Sequence, residues 1–127
     1  MANVSKFIDL IGKTPLVDLT SLTNKGAAQL YAKCEFLNPS FSMKDRIAKY
    51  ILEMAEATNQ LKPGDTIVCS SSGNTGCSIA MLGNIKGYSV IIVVSNKCSI
   101  EKQNRNSEYL GLCFVVQVSK FISATDL

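Results

Sequence analysis

Two stretches of the chain carry residues able to do chemistry. One is Cys69-Ser70-Ser71-Ser72-Gly73-Asn74-Thr75-Gly76, entered from the apolar run Thr66-Ile67-Val68-Cys69 and left by the helical pattern Cys77-Ser78-Ile79-Ala80-Met81-Leu82. A strand, a glycine-bearing polar loop and a helix start gather backbone N–H groups and small hydroxyls at the positive end of a helix dipole, which suits a phosphate or a carboxylate. The same residues also serve an ordinary strand-to-helix connection, with Ser, Gly and Asn as turn and cap residues. The other stretch is centred on Lys44, in the first turn of a helix, where the dipole disfavours a cation. Its neighbours Phe41, Met43 and Ile47 would partly desolvate it. Both effects free an amine as a nucleophile or base for carbonyl and Schiff-base chemistry; the plain alternative is a solvated surface lysine.

Composition narrows the chemistry further. The 127 residues include no histidine, which excludes a Ser–His or Cys–His nucleophile and removes the commonest transition-metal ligand. No metal site is expected. The five cysteines, Cys34, Cys69, Cys77, Cys98 and Cys113, show no C-x-x-C spacing, and several sit in apolar stretches where a free thiol acts as a small hydrophobe. Thirteen basic against ten acidic residues give a net charge of +3, spread along the chain, so no nucleic-acid surface is expected. The longest apolar run, Val90 to Val94, is too short to span a bilayer, and the N-terminus lacks the form of a signal peptide. A reducing, cytoplasmic setting with free thiols follows, and no membrane partner.

The elements that must position Lys44 and the 69–76 loop alternate in type. Thr14 to Leu19 and Gln29 to Phe36 read as two strands able to pair as an antiparallel ribbon, marginal by itself. Ser42, three residues before Asp45, has the capping-box spacing for a helix running to about residue 58, with Ile47, Ile51, Met54 and Ala55 on one apolar face. The turn Lys62-Pro63-Gly64-Asp65 leads into the strand that feeds the loop. A second helix from Cys77 ends at Gly87, a good residue just past a helix terminus. Ser89 to Val94 is a β-branched strand that its composition would bury on both faces, a third helix follows from Ser99 to Leu110, and Leu112 to Val118 is a last strand. This order implies an α/β fold, a parallel sheet flanked by helices with right-handed crossovers, and ligands bind such sheets beyond the carboxyl ends of the strands. The 69–76 loop lies at that edge.

Four ordered motifs resemble one family. Ile11-Gly12-Lys13-Thr14-Pro15-Leu16-Val17, Ala32-Lys33-Cys34-Glu35-Phe36-Leu37-Asn38-Pro39, Ser42-Met43-Lys44-Asp45-Arg46-Ile47-Ala48 and Ser72-Gly73-Asn74-Thr75-Gly76 are similar to the cysteine synthase and cystathionine β-synthase family, pyridoxal-phosphate (PLP) enzymes of fold type II. The resemblance runs from about residue 8 to 118. It implies that Lys44 holds PLP and then acts as acid/base at the substrate α-carbon, and that Asn74 hydrogen-bonds the cofactor's ring hydroxyl. It also implies that Ser71, Ser72, Asn74 and Thr75 grip the α-carboxylate of an amino-acid substrate. The family reaction is β-replacement on an activated serine, usually O-acetylserine, with sulfide as nucleophile, and a homodimer is implied in the same way. A nucleotide-binding α/β domain fits less well, because the loop has neither the dinucleotide glycine spacing nor the lysine position of a P-loop.

The chain also departs from the family pattern. Ser40-Phe41 stands where Gly-Gly is common, Ser70-Ser71 where Pro-Thr is common, and Ser95-Asn96-Lys97-Cys98 replaces a Pro-Glu-Thr-Met type of segment. Relatives using O-phosphoserine or an amine nucleophile therefore stay open. Family members carry a second half with a glycine-threonine loop for the PLP phosphate and a hydroxyl residue facing the pyridine nitrogen. The 127 residues do not contain these motifs, so Leu127 reads as a truncation point. Residues 1–37 are then the opening strands of an incomplete larger domain, and 38–127 a small α/β domain. Alone, the chain is expected to bind PLP poorly and turn over little; a catalytically inactive remnant acting as a binding module is the alternative.

Overall fold

The computed structural model describes residues 6–95 and 113–118. Strands β1 (Leu16–Asp18) and β2 (Tyr31–Lys33) form an antiparallel pair with Val17 opposite Ala32. Both are shorter than their sequence pattern, because Thr20–Leu22 and Glu35–Leu37 close into 3-10 turns at their ends. Helix α1 (Lys44–Ala57), strand β3 (Thr66–Ser70), helix α2 (Asn74–Ile85), strand β4 (Ser89–Ser95) and strand β5 (Cys113–Val118) follow. The sheet runs β3-β4-β5, all parallel, with Val68 opposite Ile91 and Ile92 opposite Val115. The α/β fold with a parallel sheet, helices and a preceding antiparallel pair is the one the sequence implies. The helix expected over 99–110 lies outside the described residues.

The core forms where α1 and α2 pack on each other and α2 packs on β3 and β4. Ala48 and Leu52 of α1, Ile79, Ala80, Met81 and Leu82 of α2, and Val90, Ile92 and Val94 of β4 are its buried members, with Ile11 from the N-terminal segment. A Cβ on Gly83 would lie 2.5 Å from Val90 Cγ2, so α2 sits on β4 at a distance only glycine permits. The helix stops as predicted: Gly87, at φ +85, donates its N–H to Asn84 and Tyr88 donates to Gly83, the paired bonds of a Schellman end. Beyond that end, Glu56 of α1 takes a 2.7 Å ion pair from Lys86 and a 3.0 Å bond from the Tyr88 hydroxyl. The Lys86 bond holds the Glu56 carboxyl below its ordinary range.

Two sequence expectations change. On α1 the buried stripe is Asp45, Ala48 and Leu52, whereas Ile47, Ile51 and Met54 are 42, 46 and 43% exposed. The helix is apolar on two sides, and periodicity does not say which side meets the core. On β4, Val90, Ile92 and Val94 are buried but Ile91 and Val93 are half-buried. The described helices cover one face of the sheet; on the other, Val68 of β3 is 66% exposed.

Candidate active site

Lys44 is the first residue of α1 and is half-buried. The chain reaches it through a tight turn in which the Phe41 N–H donates to the Asn38 carbonyl at 2.7 Å. Phe41 takes φ 59, the left-handed region that a β-carbon disfavours. Glycine meets that demand without strain, which gives a physical reason for Gly-Gly at this point of the motif. The expected capping box does not form. Ser42 accepts the Lys44 N–H at 3.2 Å, but the Asp45 side chain does not return a bond to Ser42. Its carboxyl group, fully buried, reaches back to Ser40, taking the N–H at 2.7 Å and the hydroxyl, and across to the Ser78 hydroxyl of α2 at 2.6 Å. The competing donors win because burial leaves Ser40 and Ser78 no water to bond.

The 69–76 stretch divides differently from its sequence reading. Strand β3 carries the chain to Ser70, and the Ser71 N–H still donates to Val93 of β4 at 3.1 Å. Helix α2 then begins at Asn74, three residues before the expected start, with Gly73 as its cap residue. Asn74 and Thr75 are therefore first-turn residues, whose N–H groups find no carbonyl within the helix and face the position an anion prefers. Ser71 Oγ accepts the N–H groups of Gly73 at 3.3 Å and Gly76 at 3.0 Å, which holds the turn closed and leaves its own proton to donate. Ser72 and Asn74 are exposed; Ser71 and Thr75 are half-buried.

Helix packing brings the two stretches together. Asp45, next to Lys44, bonds Ser78, whose hydroxyl also lies 2.9 Å from the carbonyl oxygen of Asn74 one turn earlier in α2. The first turn of α1 and the first turn of α2 are thus joined by one buried hydroxyl.

A second polar network fixes the other end of the turn. Arg46 forks onto Glu35 with bonds of 2.9 and 2.8 Å, and also donates to Thr14 at 3.0 Å. Thr14 donates to Glu35 at 2.9 Å, and Asn38 donates to both the carbonyl and the carboxylate of Glu35 at 2.8 Å while accepting the Gly12 N–H at 2.9 Å. The Arg46 bond, with those from Thr14 and Asn38, holds the Glu35 carboxyl down to about 2. Sequence reasoning singled out neither network, although all their members except Ser40 and Ser78 lie inside the three upstream motifs. The available signal was polar residues crowded into those motifs beyond what a lysine and an anion loop require. Cys69 is half-buried and burial pushes its thiol up, in keeping with a core role. Among the described residues, no three metal-ligating side chains cluster, and no helix is long and apolar enough to cross a membrane.

Comparison with known proteins gives one consistent result. Residues 8–119 match the family model for pyridoxal-phosphate dependent enzymes. The chain is 48% identical over 94 residues to a cystathionine beta-synthase of Apis mellifera, covering 72% of this chain and 19% of that protein. It is 41% identical over 106 residues to a cysteine synthase of Staphylococcus aureus, covering 84% of this chain and 34% of that one. The crystal structure of an O-ureido-L-serine synthase superposes with a TM-score of 0.77 at 36% identity, over 91% of this chain and 36% of the other. The chain therefore spans about a third or less of the length of these relatives.

Proposed function

The chain belongs to the pyridoxal-phosphate dependent enzymes of the cysteine synthase and cystathionine β-synthase family, and on that premise we propose that it supplies the lysine and the carboxylate loop for β-replacement on an activated serine. O-acetylserine with sulfide, giving cysteine, is the reaction proposed first. The observation that carries the proposal is the junction of the two helix starts, Lys44 on one side and Asn74 and Thr75 on the other, through Asp45 and Ser78.

The residues present fit the cofactor in their donor chemistry: a half-buried primary amine for its aldehyde, and an amide side chain at a helix N-terminus nearby. PLP supplies, when bound, the electron sink that makes the α-proton of an amino acid removable. Lys44 would hold the cofactor and afterwards would carry that proton to and from the α-carbon, a step that gains most from having the base held in place. Asn74 would bond the cofactor's ring hydroxyl. The N–H groups of the first turn of α2, with the hydroxyls of Ser71, Ser72 and Thr75, hold the α-carboxylate and so orient the α-carbon. Residues 1–37 are proposed to belong to a larger domain, because every residue of β1 is exposed. A homodimer and a cytoplasmic setting are part of the same proposal.

A second reading, with a nucleophile other than sulfide, is favoured by the likeness to O-ureido-L-serine synthase, whose named product carries an oxygen-linked group on its β-carbon; an amine nucleophile and O-phosphoserine as donor stay open beside it. Product analysis separates the two. The chain, or any longer protein that contains it, loaded with PLP, is offered O-acetylserine or O-phosphoserine with sulfide or hydroxyurea. Cysteine from O-acetylserine and sulfide supports the first reading. No product from any pair, with no visible absorbance from lysine-bound PLP, supports the inactive remnant.

A further inference from the structure

Asp45 is a fully buried carboxyl group that the proposed reaction does not use. One of its oxygens takes the Ser40 N–H at 2.7 Å; the other takes the Ser40 hydroxyl and the Ser78 hydroxyl, the latter at 2.6 Å. Ser40 and Ser78 are themselves buried, at 3 and 0% exposure, and their oxygens lie 3.0 Å apart. Ser40 precedes Phe41, whose left-handed backbone turns the chain into α1, so the Ser40 bonds fix how Lys44 leaves the turn. Ser78 sits one turn beyond Asn74 and has one proton, shared between Asp45 and the Asn74 carbonyl at 2.9 Å, with Asp45 the nearer acceptor. Each of the three side chains would leave a buried polar group without a partner if the others moved, so the cluster resists sliding of α1 against α2.

We propose that Asp45, with Ser40 and Ser78, is a positioning cluster that sets Lys44 against the first turn of α2, and that it does so without touching substrate or cofactor. This rests on the cofactor reading above.

The test uses the 127-residue chain with PLP in large excess, so that weak binding by the chain alone still gives adducts to count, reduced with borohydride and digested, with pyridoxyl adducts counted on each lysine peptide. The variants are Asp45→Asn and Ser78→Ala, near in volume to the native side chains, with Ser78→Thr keeping the hydroxyl. Amide exchange of residues 74–78 is followed in each without cofactor. Wild type is expected to label Lys44 ahead of Lys49 and Lys62. In Asp45→Asn and Ser78→Ala that preference falls by about tenfold while Lys49 and Lys62 label as before, since an amine nucleophile moved by a fraction of its working distance loses most of its advantage toward the aldehyde. Exchange in the first turn of α2 speeds up in both, and Ser78→Thr restores both readouts. A purely structural loss would change labelling at all lysines together. Wild-type preference that both variants retain overturns the positioning role and leaves the cofactor reading standing. A wild type with no preference for Lys44 overturns the cofactor reading and the positioning role with it. Unchanged exchange in Asp45→Asn shows that the cluster does not tie the helices, and overturns the proposal directly.

Discussion

Replacing Gly83 by alanine tests whether α2 is seated on the sheet as described. The position is inside a helix, and alanine there is worth about 0.8–1.0 kcal/mol over glycine from backbone propensity. Against this, the added Cβ would lie 2.5 Å from Val90 Cγ2 and 3.2 Å from Ile67 Cδ1. Val90 is 1% exposed and β-branched, so its methyl has no free direction in which to swing. Forcing a methyl into such a site costs about 1–3 kcal/mol. The steric loss exceeds the helical gain, leaving a net destabilisation of about 1 kcal/mol. Urea unfolding reads this as a midpoint lower by about 0.5 M for a slope of about 2 kcal/mol per M. The same contact predicts coupling: Val90→Ala alone opens a cavity and destabilises, but in the Gly83→Ala background the new methyl fills part of it. The double variant should be more stable than the sum of the singles by about 1 kcal/mol. A Gly83→Ala midpoint raised by the full helical increment, with costs that simply add, would refute the close approach of α2 to β4. It would also remove the support for where α2 places Asn74.

Two further outcomes follow from local chemistry. Glu35 has its folded-state carboxyl lowered from 4.5 to about 2, so its share of stability is present above the unfolded value and is lost as pH falls through the window between them. Thermal melts across that window should fall more steeply in wild type than in Glu35→Gln; parallel curves would show that the Arg46 fork does not persist in solution. Phe41, left-handed at φ 59 and 63% exposed, holds strain and buries little, so Phe41→Gly should stabilise the chain by up to about 1 kcal/mol, read as a higher melting temperature. A lower melting temperature would mean that the ring makes contacts worth more than the strain.

Much of the fold was legible because its cues are local. Short apolar and β-branched runs between turn signals, alternating with polar residues only around β2, placed the five strands, and Gly87 marked the end of α2 through a conformation other residues resist. The start of α2 was read late because Asn74 and Thr75 look like loop residues, while their structural role is to open a helix behind a glycine cap. The buried side of α1 was misassigned because Ala48 and Asp45 carry little hydrophobic signal, although both are fully buried, and Ile47, Ile51 and Met54 carry a strong one. Asp45 shows the limit most clearly. Its spacing from Ser42 fits a local cap, yet one of its partners is Ser78, 33 residues away, and no pattern in one sequence encodes that pairing. The Glu35 network has the same character, with Arg46 and Thr14 separated by 32 residues. For the site residues, type and order were readable; their joining through a buried hydroxyl was not.

The central claim is that the amine of Lys44 is the one that takes the cofactor. The most direct measurement is mass spectrometry of the borohydride-reduced, PLP-loaded protein after proteolysis. The account predicts the pyridoxyl mass on the peptide holding Lys44, and its loss in Lys44→Ala. An adduct confined to any other lysine would contradict it.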